Sequence, residues 1–397
     1  MRKLFRNRSF LSIWTASIVS GLGDKIAIIA FFSLIMDRTG SVVNLGLLAA
    51  VQIIPGVLLG PVAGVIIDRW RKKRVMILTD VFSATVVFVI PFVESLPVIY
   101  FLAALLSIGR QFHSPARLAL MPEVVEDNLL KKSNALTMLT QNLVLMFGMA
   151  LGGIIVESRG VNSAFFADSL TFVFSALILI QRRFIYLEIE KAPKKVQKFW
   201  KDLSFGATHL LGNPRLRFAV IFLGTVTMVT AMQPPLVFDF VKNIMMQSEK
   251  ELGFIFGSAG VGGIVGALIA GAARSKSNPL TLITVLLAID GVLLGLFAVN
   301  RNPALAILLF ACFGAISSGL QVNLATFLQR ETPEEIRGRV FGWLTPMIGP
   351  ITLLSVLIGP IIASRVGVVP VLIAAGVGEI LFGIVGRIFV PKPAIDS

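Results

Sequence analysis

The chain reads NLGLLAAVQIIPGVLLGPVAGVII from Asn44 to Ile67, a run that contains no charged residue. A hydrocarbon core about 30 Å thick needs roughly 20 helical residues to cross it, because only helices and closed barrels satisfy every backbone polar group inside lipid. A barrel strand would alternate apolar and polar residues, and this run does not. The stretch therefore predicts a membrane-spanning helix.

Runs of the same kind recur along the whole chain, with short polar segments between most of them. The twelve predicted spans are residues 10–36, 44–67, 75–93, 97–116, 135–156, 162–181, 217–238, 252–273, 279–299, 303–325, 341–364 and 367–390. Hydrophobic residues make up 55% of the sequence and charged residues only 15%, against about 25% charged in soluble domains. The composition therefore favours an all-α membrane protein with twelve transmembrane helices.

The net charge of +14 raises the question of nucleic-acid binding. In a membrane protein, however, a basic excess usually sets the orientation of the spans. With the N-terminus in the cytoplasm, most of the 36 Lys and Arg residues fall on the cytoplasmic side. We therefore expect both termini in the cytoplasm and no nucleic-acid partner. One Cys and two His residues are too few for a metal centre, so no metal is expected.

The two halves of the sequence match when one is shifted by 207 residues. The shift aligns residues 152–155 with 359–362, and it aligns the presumed loop 127–131 with 334–338. Chance similarity between apolar helices is the alternative. A true duplication predicts two pseudo-symmetric six-helix bundles with a substrate site between them near the membrane midplane. The predicted divisions are an N-terminal bundle, a charged cytoplasmic linker and a C-terminal bundle at residues 1–185, 186–214 and 215–397.

Ionisable residues inside the spans mark candidate functional positions, because a charge in hydrocarbon must face protein or a watery cavity. Asp24 and Lys25 lie in the first span, and as helix neighbours they point about 100° apart. Arg110 and His113 lie in the fourth span on similar faces. We predict that Asp24 pairs with Arg110. A carboxylate beside a fixed cation releases its proton readily, whereas burial favours the neutral acid, so an opening cavity would toggle the proton. A permanent structural ion pair is the alternative.

Four further acids lie in the spans. For Asp290 and Glu379 we favour packing or mutual pairing. Asp80 and Asp168 lie nearer the ends of their spans, where we expect water or headgroups to solvate them, so we favour a structural role for both. Five amides are candidates to line a substrate path, or alternatively to form hydrogen bonds between helices. They are Gln141, Asn142, Gln233, Gln321 and Asn323.

Proline interrupts helical hydrogen bonding, so prolines within the spans are candidate bending points. They include Pro234, Pro235, Pro346, Pro350 and Pro360.

From Gly64 to Lys73 the chain reads GVIIDRWRKK. This stretch resembles the Gly-x-x-x-Asp-Arg-x-Gly-Arg/Lys-Arg/Lys signature of the major facilitator superfamily, with Arg71 in place of the second glycine. In this departure the chain resembles the branch of the family that includes macrolide-efflux proteins and siderophore exporters. Further stretches that resemble the branch are Gly23-Asp24, Ser114-Pro115-Ala116-Arg117, Met121-Pro122-Glu123 and Arg337-Gly338-Arg339-Val340-Phe341.

The resemblance implies alternating access with a cytoplasmic gate. In the family, the signature holds the start of the eleventh helix when the pore faces outward, and the positive end of a helix would attract Asp68. The alternative is that these basic residues only anchor orientation. The gate residues implied are Gly64, Asp68, Arg69, Lys72, Lys73, Arg337 and Arg339.

The function that these features predict is proton-coupled efflux of an amphipathic organic compound, such as a drug or a siderophore-like molecule. The expected protein is a monomer in the cytoplasmic membrane of a prokaryote, with a cavity lined by helices 1, 4, 7 and 10. It needs no cofactor besides the proton gradient. The antiporter signature of related exporters is incomplete in the fifth span, with Val144 and Met149 at its first glycine and its proline, so efflux is inferred mainly from the branch.

A lysophospholipid flippase of the same fold is the alternative, since those proteins resemble this chain at Gly23-Asp24 and at Ser114-Pro115-Ala116-Arg117. A channel would not need the cytoplasmic signature. An intramembrane enzyme is disfavoured because the sequence has no H-E-x-x-H, G-x-S-x-G or phosphate-loop motif.

Overall fold

The computed structural model describes residues 2–181, 184, 186, 208, 210, 212–272 and 279–390. Within these ranges twelve helices are long and apolar enough to cross a membrane, and no strand occurs. The predicted fold class and number of spans are therefore confirmed. The helices are α1 (Arg8–Thr39), α2 (Val42–Arg69), α3 (Lys72–Val89), α4 (Leu96–Val124), α5 (Asp127–Arg159), α6 (Val161–Gln181), α7 (Pro214–Thr230), α8 (Glu249–Ala272), α9 (Pro279–Val299), α10 (Pro303–Glu331), α11 (Glu334–Val366) and α12 (Val368–Phe389).

Several helices extend well beyond the apolar runs that predicted them. Helix α4 continues to Val124 and α5 begins at Asp127, so only two residues separate them. The matched stretches 127–131 and 334–338, expected to be loops, are the first turns of α5 and α11. Helical hydrogen bonds form within the backbone and do not need lipid, which is why the polar ends of these helices remain helical.

The seventh span is broken where two prolines occur together. Helix α7 ends at Thr230, and a short helix at Gln233–Asp239 begins with Pro234 and Pro235 in its first turn. A five-residue π turn then completes the span at Phe240–Ile244. Proline has no N–H to donate, so it fits the first turn of a new helix better than the interior of an existing one.

Prolines in the eleventh span behave differently. Pro346, Pro350 and Pro360 lie inside the continuous helix α11 and do not end it, so their role as bending points stays a prediction.

The chain divides into two compact units. The first unit comprises Met1–Ala192 and Met246–Gly260, and the second comprises Pro193–Met245 and Val261–Ser397. The first unit thus includes the beginning of α8 in addition to the first six helices. Most of the predicted linker 186–214 lies outside the described residues.

In the first unit, α1 packs against α5 and α6, while α4 packs against α2 and α3. Asn7 joins the start of α1 to the end of α4, because its Oδ1 accepts from the N–H of Phe10 at 3.0 Å and its Nδ2 donates to the carbonyl of Val124 at 2.5 Å. An apolar cluster fills the same end of the unit. Its fully buried members include Leu4, Phe10, Ile13, Met76, Ala116, Leu120 and Leu179.

In the second unit, α9 packs against α12 and α10, and α7 packs against α11. The corresponding pairs α3 with α6, α3 with α4, and α1 with α5 occur in the first unit. The contact between α9 and α12 is made by glycines, because a Cβ on Gly291 would overlap the carbonyl oxygen of Gly376. The two backbones therefore approach closely, as small residues allow in membrane proteins.

Candidate functional site

A half-buried ion pair joins the first and fourth helices of the first unit. Both Nη2 and Nε of Arg110 donate to Oδ1 of Asp24, at 2.7 and 3.1 Å. The sequence placed these two side chains on different helices, and the structure brings them together. Two donors on one oxygen leave the second oxygen of Asp24 able to accept another partner or a proton.

Lys25, the next residue on α1, faces a different helix. A Cβ on Gly148 of α5 would lie 2.6 Å from Cβ of Lys25, so the lysine packs over the surface that this glycine leaves open. Asp24 thus points to α4 and Lys25 to α5, as the angle between neighbouring helix positions requires. The charge of Lys25 interacts with those of Asp24 and Arg110.

A second polar group lies one turn further along α4. Nε2 of His113 is 3.3 Å from Oδ1 of Asp80 on α3, although the geometry is not that of a hydrogen bond. Ser175 on α6 donates from Oγ to Oδ2 of Asp80 at 2.6 Å. Asp80 is 1% exposed. Helices α3, α4 and α6 are therefore joined through one buried carboxyl group.

Asp168 on α6 completes the cluster and explains why glycine precedes Asp24. A Cβ on Gly23 would overlap both Oδ1 of Asp168 and Oγ1 of Thr171, so only glycine admits them at this point of α1. Asp168 is 1% exposed, and its Oδ2 has no hydrogen-bond partner among the described residues. An unsatisfied buried oxygen is costly, which makes this atom a natural acceptor for a nearby donor.

The expectation that Asp80 and Asp168 would be solvated near the ends of their spans was wrong. Both are buried in the first unit, and electrostatic repulsion reaches each of them from Asp24. Position along a span indicates depth in the membrane but not exposure, because a helix face turned towards the bundle is buried at any depth. The resulting polar cluster contains three acids and three basic side chains. It comprises Asp24, Asp80, Asp168, Lys25, Arg110 and His113.

Two lysines of the signature segment, residues 64–73, have described contacts, and both lie at the start of α3. Nζ of Lys72 lies 2.8 Å from Oε1 of Glu123 on α4, and both side chains are less than one-fifth exposed. Nζ of Lys73 lies 4.6 Å from the ring centroid of Phe184. The described contacts of Lys72 therefore bind it within the first unit. The side chains of Asp68, Arg69, Arg337 and Arg339 and the surroundings of Gly64 lie outside what the structure describes, so the gate remains a prediction.

The five amide candidates differ in position. Gln321 lies on the wall of a cavity in the second unit. Asn142 and Asn323 donate to backbone carbonyls one turn back in their own helices, at 3.2 and 2.7 Å, so these bonds do not join helices. Gln141 is exposed, and Nε2 of Gln233 is buried with no hydrogen-bond partner among the described residues.

The acids of the second unit lie together on neighbouring helices. Asp290 on α9 and Glu379 on α12 are 6% and 0% exposed, and charge repulsion acts between them. Asp290 also lines the cavity that contains Gln321. Packing or mutual pairing was expected for these two acids, and the access of Asp290 to a cavity is an additional feature that the sequence did not indicate.

Comparisons with known proteins agree with this architecture. The sequence profile of the Major Facilitator Superfamily matches residues 13–352. Macrolide efflux protein A of Streptococcus pyogenes is 25% identical over 379 residues, covering 90% of this chain and 90% of that protein. Enterobactin exporter EntS of Shigella boydii is 26% identical over 291 residues, covering 72% of this chain and 68% of that protein. The crystal structure of nucleoside transporter NupG covers 97% of this chain and 99% of its own, with a TM-score of 0.76 at 12% identity, a likeness of fold alone.

Proposed function

The chain belongs to the major facilitator superfamily, and from this premise we propose that it exports an amphipathic organic compound in exchange for protons. The family match confirms the resemblance noted at residues 64–73. The proposal of efflux is supported by the similarity to macrolide efflux protein A and to enterobactin exporter EntS. The proposal of proton coupling is supported by one observation above all, the half-buried Asp24–Arg110 pair beside the buried acids Asp80 and Asp168.

The coupling step that we propose is an exchange of carboxylate partners by Arg110. When Asp24 takes up a proton, it loses the charge that holds the guanidinium group. Arg110 is already attracted by Asp168, whose Oδ2 has no hydrogen-bond partner among the described residues. The guanidinium group of Arg110, which is on α4, would then move from Asp24 on α1 towards Asp168 on α6. Loss of the proton from Asp24 restores the original pair, so the protonation state selects between two helix arrangements.

The remaining parts of the proposal concern orientation and gating. Both termini would lie in the cytoplasm, and the protein would act as a monomeric transporter in the cytoplasmic membrane of a prokaryote, without enzymatic activity. The gate would form between Asp68 with its basic neighbours and the start of α11. Lys72 would contribute indirectly, because its bond to Glu123 fixes the start of α3 to the end of α4.

The test is accumulation of radiolabelled erythromycin, and separately of enterobactin, in everted membrane vesicles with and without an acidic lumen. The wild type is expected to accumulate at least one compound only when the pH gradient is present. Asp24→Asn should abolish gradient-driven accumulation while leaving exchange of labelled for unlabelled compound intact. Asp37→Asn is the matched control, because it makes the same change on α1 at an exposed position.

Unchanged proton-driven accumulation by Asp24→Asn would remove this residue from the coupling step. The flippase alternative is examined in the same vesicles with a fluorescent lysophospholipid. Transport of that lipid, with no accumulation of either organic compound, would replace export of drug-like or siderophore-like molecules as the function.

A further inference from the structure

A cavity of about 220 Å³ lies within the second unit, between α7, α9 and α10. Its walls are mainly apolar, with Phe222 contributing an aromatic ring. The polar side chains on its walls are Thr227, Thr230, Ser317, Gln321 and Asp290. Asp290 is the single ionisable residue among the described residues that line it. An apolar pocket with a few polar groups is the usual form of a small-molecule site.

Glu379 adds a second carboxyl group next to this wall. It is fully buried, and neither carboxylate oxygen has a hydrogen-bond partner among the described residues. Gly291 brings it close to Asp290, because the bare backbone at this position lets Cβ of Glu379 approach α9. An unpartnered buried carboxyl group is rare in proteins and requires an explanation.

Three arginines of the second unit are engaged elsewhere, and no ion pair of Asp290 or Glu379 occurs among the described residues. Arg215 pairs with Glu331 where α7 begins and α10 ends, and Arg387 donates to Thr281 at the start of α9. Arg301 donates to backbone carbonyls in the turn after α9. In the first unit, by contrast, Arg110 pairs directly with an acid inside the bundle. Two neighbouring carboxyl groups without such a cation cannot both be ionised at low cost.

We propose that this cavity binds a monovalent organic cation with an apolar body, with Asp290 as the contacting carboxylate and Glu379 as the neighbouring carboxyl group behind it. The cation supplies the charge that the acid pair lacks, and its apolar body replaces water on the cavity walls. Phe222 contributes an aromatic ring to the wall, and aromatic rings stabilise quaternary ammonium groups. A metal ion is a poorer fit, because no group of three or more His, Cys, Asp or Glu side chains among the described residues could hold one.

The inference names a substrate class for the proposed exporter, and only its role in transport rests on the proposed function. Binding is therefore measured without a gradient, on the purified full chain in lipid nanodiscs. The probe is radiolabelled benzyltrimethylammonium, and neopentylbenzene, its uncharged carbon isostere, is the competitor. The wild type should bind the cation saturably, and the isostere should not displace it.

Asp290→Asn should weaken binding at least about tenfold, because the cation loses its contacting charge. Glu379→Gln should weaken binding by a smaller factor. Asp239→Asn is the matched control, since it makes the same change in the second unit away from the cavity, and it should bind as the wild type does. Equal affinity for Asp290→Asn and the wild type, or equal competition by the isostere, would overturn the proposal.

A measurement on the wild type covers the case in which the variants do not fold. Dicyclohexylcarbodiimide modifies carboxyl groups in apolar surroundings, and peptide mass spectrometry locates the adduct. Benzyltrimethylammonium should protect Asp290 and Glu379 from the reagent, whereas neopentylbenzene should not. If a saturating concentration of benzyltrimethylammonium does not protect Asp290 and Glu379 from the reagent, the inference is refuted and the two acids bind protons alone. If the chain binds the cation but transports no organic compound, the inference of a cation site stands and the proposed export function is rejected.

Discussion

Replacing Gly291 by alanine tests the close contact between α9 and α12, the helices that carry Asp290 and Glu379. The new Cβ would overlap the carbonyl oxygen of Gly376 and would lie 2.9 Å from both Cβ of Glu379 and the backbone nitrogen of Ile380. None of these atoms belongs to the flexible end of a side chain, so none can rotate away. The two helices must separate to admit the methyl group.

The expected magnitude follows from a comparison with Gly295, one turn along the same helix. A Cβ there meets nothing within 4 Å. Alanine favours a helix over glycine by about 1 kcal/mol at either position. That gain is common to both variants, so the difference between them isolates the overlap at Gly291, which we put at about 1 to 3 kcal/mol. Gly291→Ala should therefore be the less stable variant by that amount.

The assay is reversible unfolding of the purified protein in mixed micelles with increasing sodium dodecyl sulfate, followed by circular dichroism. The free energies of unfolding of Gly291→Ala, Gly295→Ala and the wild type are compared under one set of conditions. Equal stability of the two variants would refute the reasoning, since it would mean that α9 and α12 have room for a methyl group where the structure leaves none.

Three further changes are measured in the same unfolding assay. Ser175→Ala removes the donor to the buried Asp80 and should lower the free energy of unfolding by about 1 to 3 kcal/mol; a change below 0.5 kcal/mol, on the order of an ordinary surface substitution, would contradict this. Glu123→Gln removes the charge that Lys72 contacts and should cost about 1 to 3 kcal/mol, between the values for exposed and buried pairs, so an unchanged free energy of unfolding would contradict the direct contact. Gly40→Ala should cost about 1 kcal/mol, because φ is 58° at this residue and the methyl group meets no neighbour, so a neutral result would mean that the end of α1 is not left-handed.

Sequence reasoning succeeded where one dominant force decides the outcome. The cost of exposing backbone to lipid makes each span a helix, so twelve apolar runs predict twelve helices. The same cost makes a charged residue in a span require a partner, which led from Asp24 to Arg110. The boundaries were less accurate, because apolar composition reports the hydrocarbon thickness while helical hydrogen bonding continues beyond it, as between residues 116 and 135.

The rest of the site depends on which helix faces meet, and no single span carries that information. Ser175 has no sequence feature that marks it as the donor to Asp80, because serines are frequent in these helices. The role of Gly23 becomes visible only when Asp168 and Thr171 occupy the space that its missing side chain leaves. The cavity beside Asp290 likewise arises where α7 meets the consecutive helices α9 and α10, about 50 residues or more further along the chain.

The ion pair between α1 and α4 has a consequence for biosynthesis. Arg110 follows Asp24 by 86 residues, so at about 5 to 20 residues per second the ribosome adds the arginine about 4 to 17 s after the aspartate. During that interval the first helix carries Asp24 and Lys25 without the later cation, and each charge opposes insertion by about 2.5 to 3.5 kcal/mol at the bilayer centre. The nascent helix is therefore expected to stay beside the insertion machinery until the fourth helix emerges and releases it into lipid.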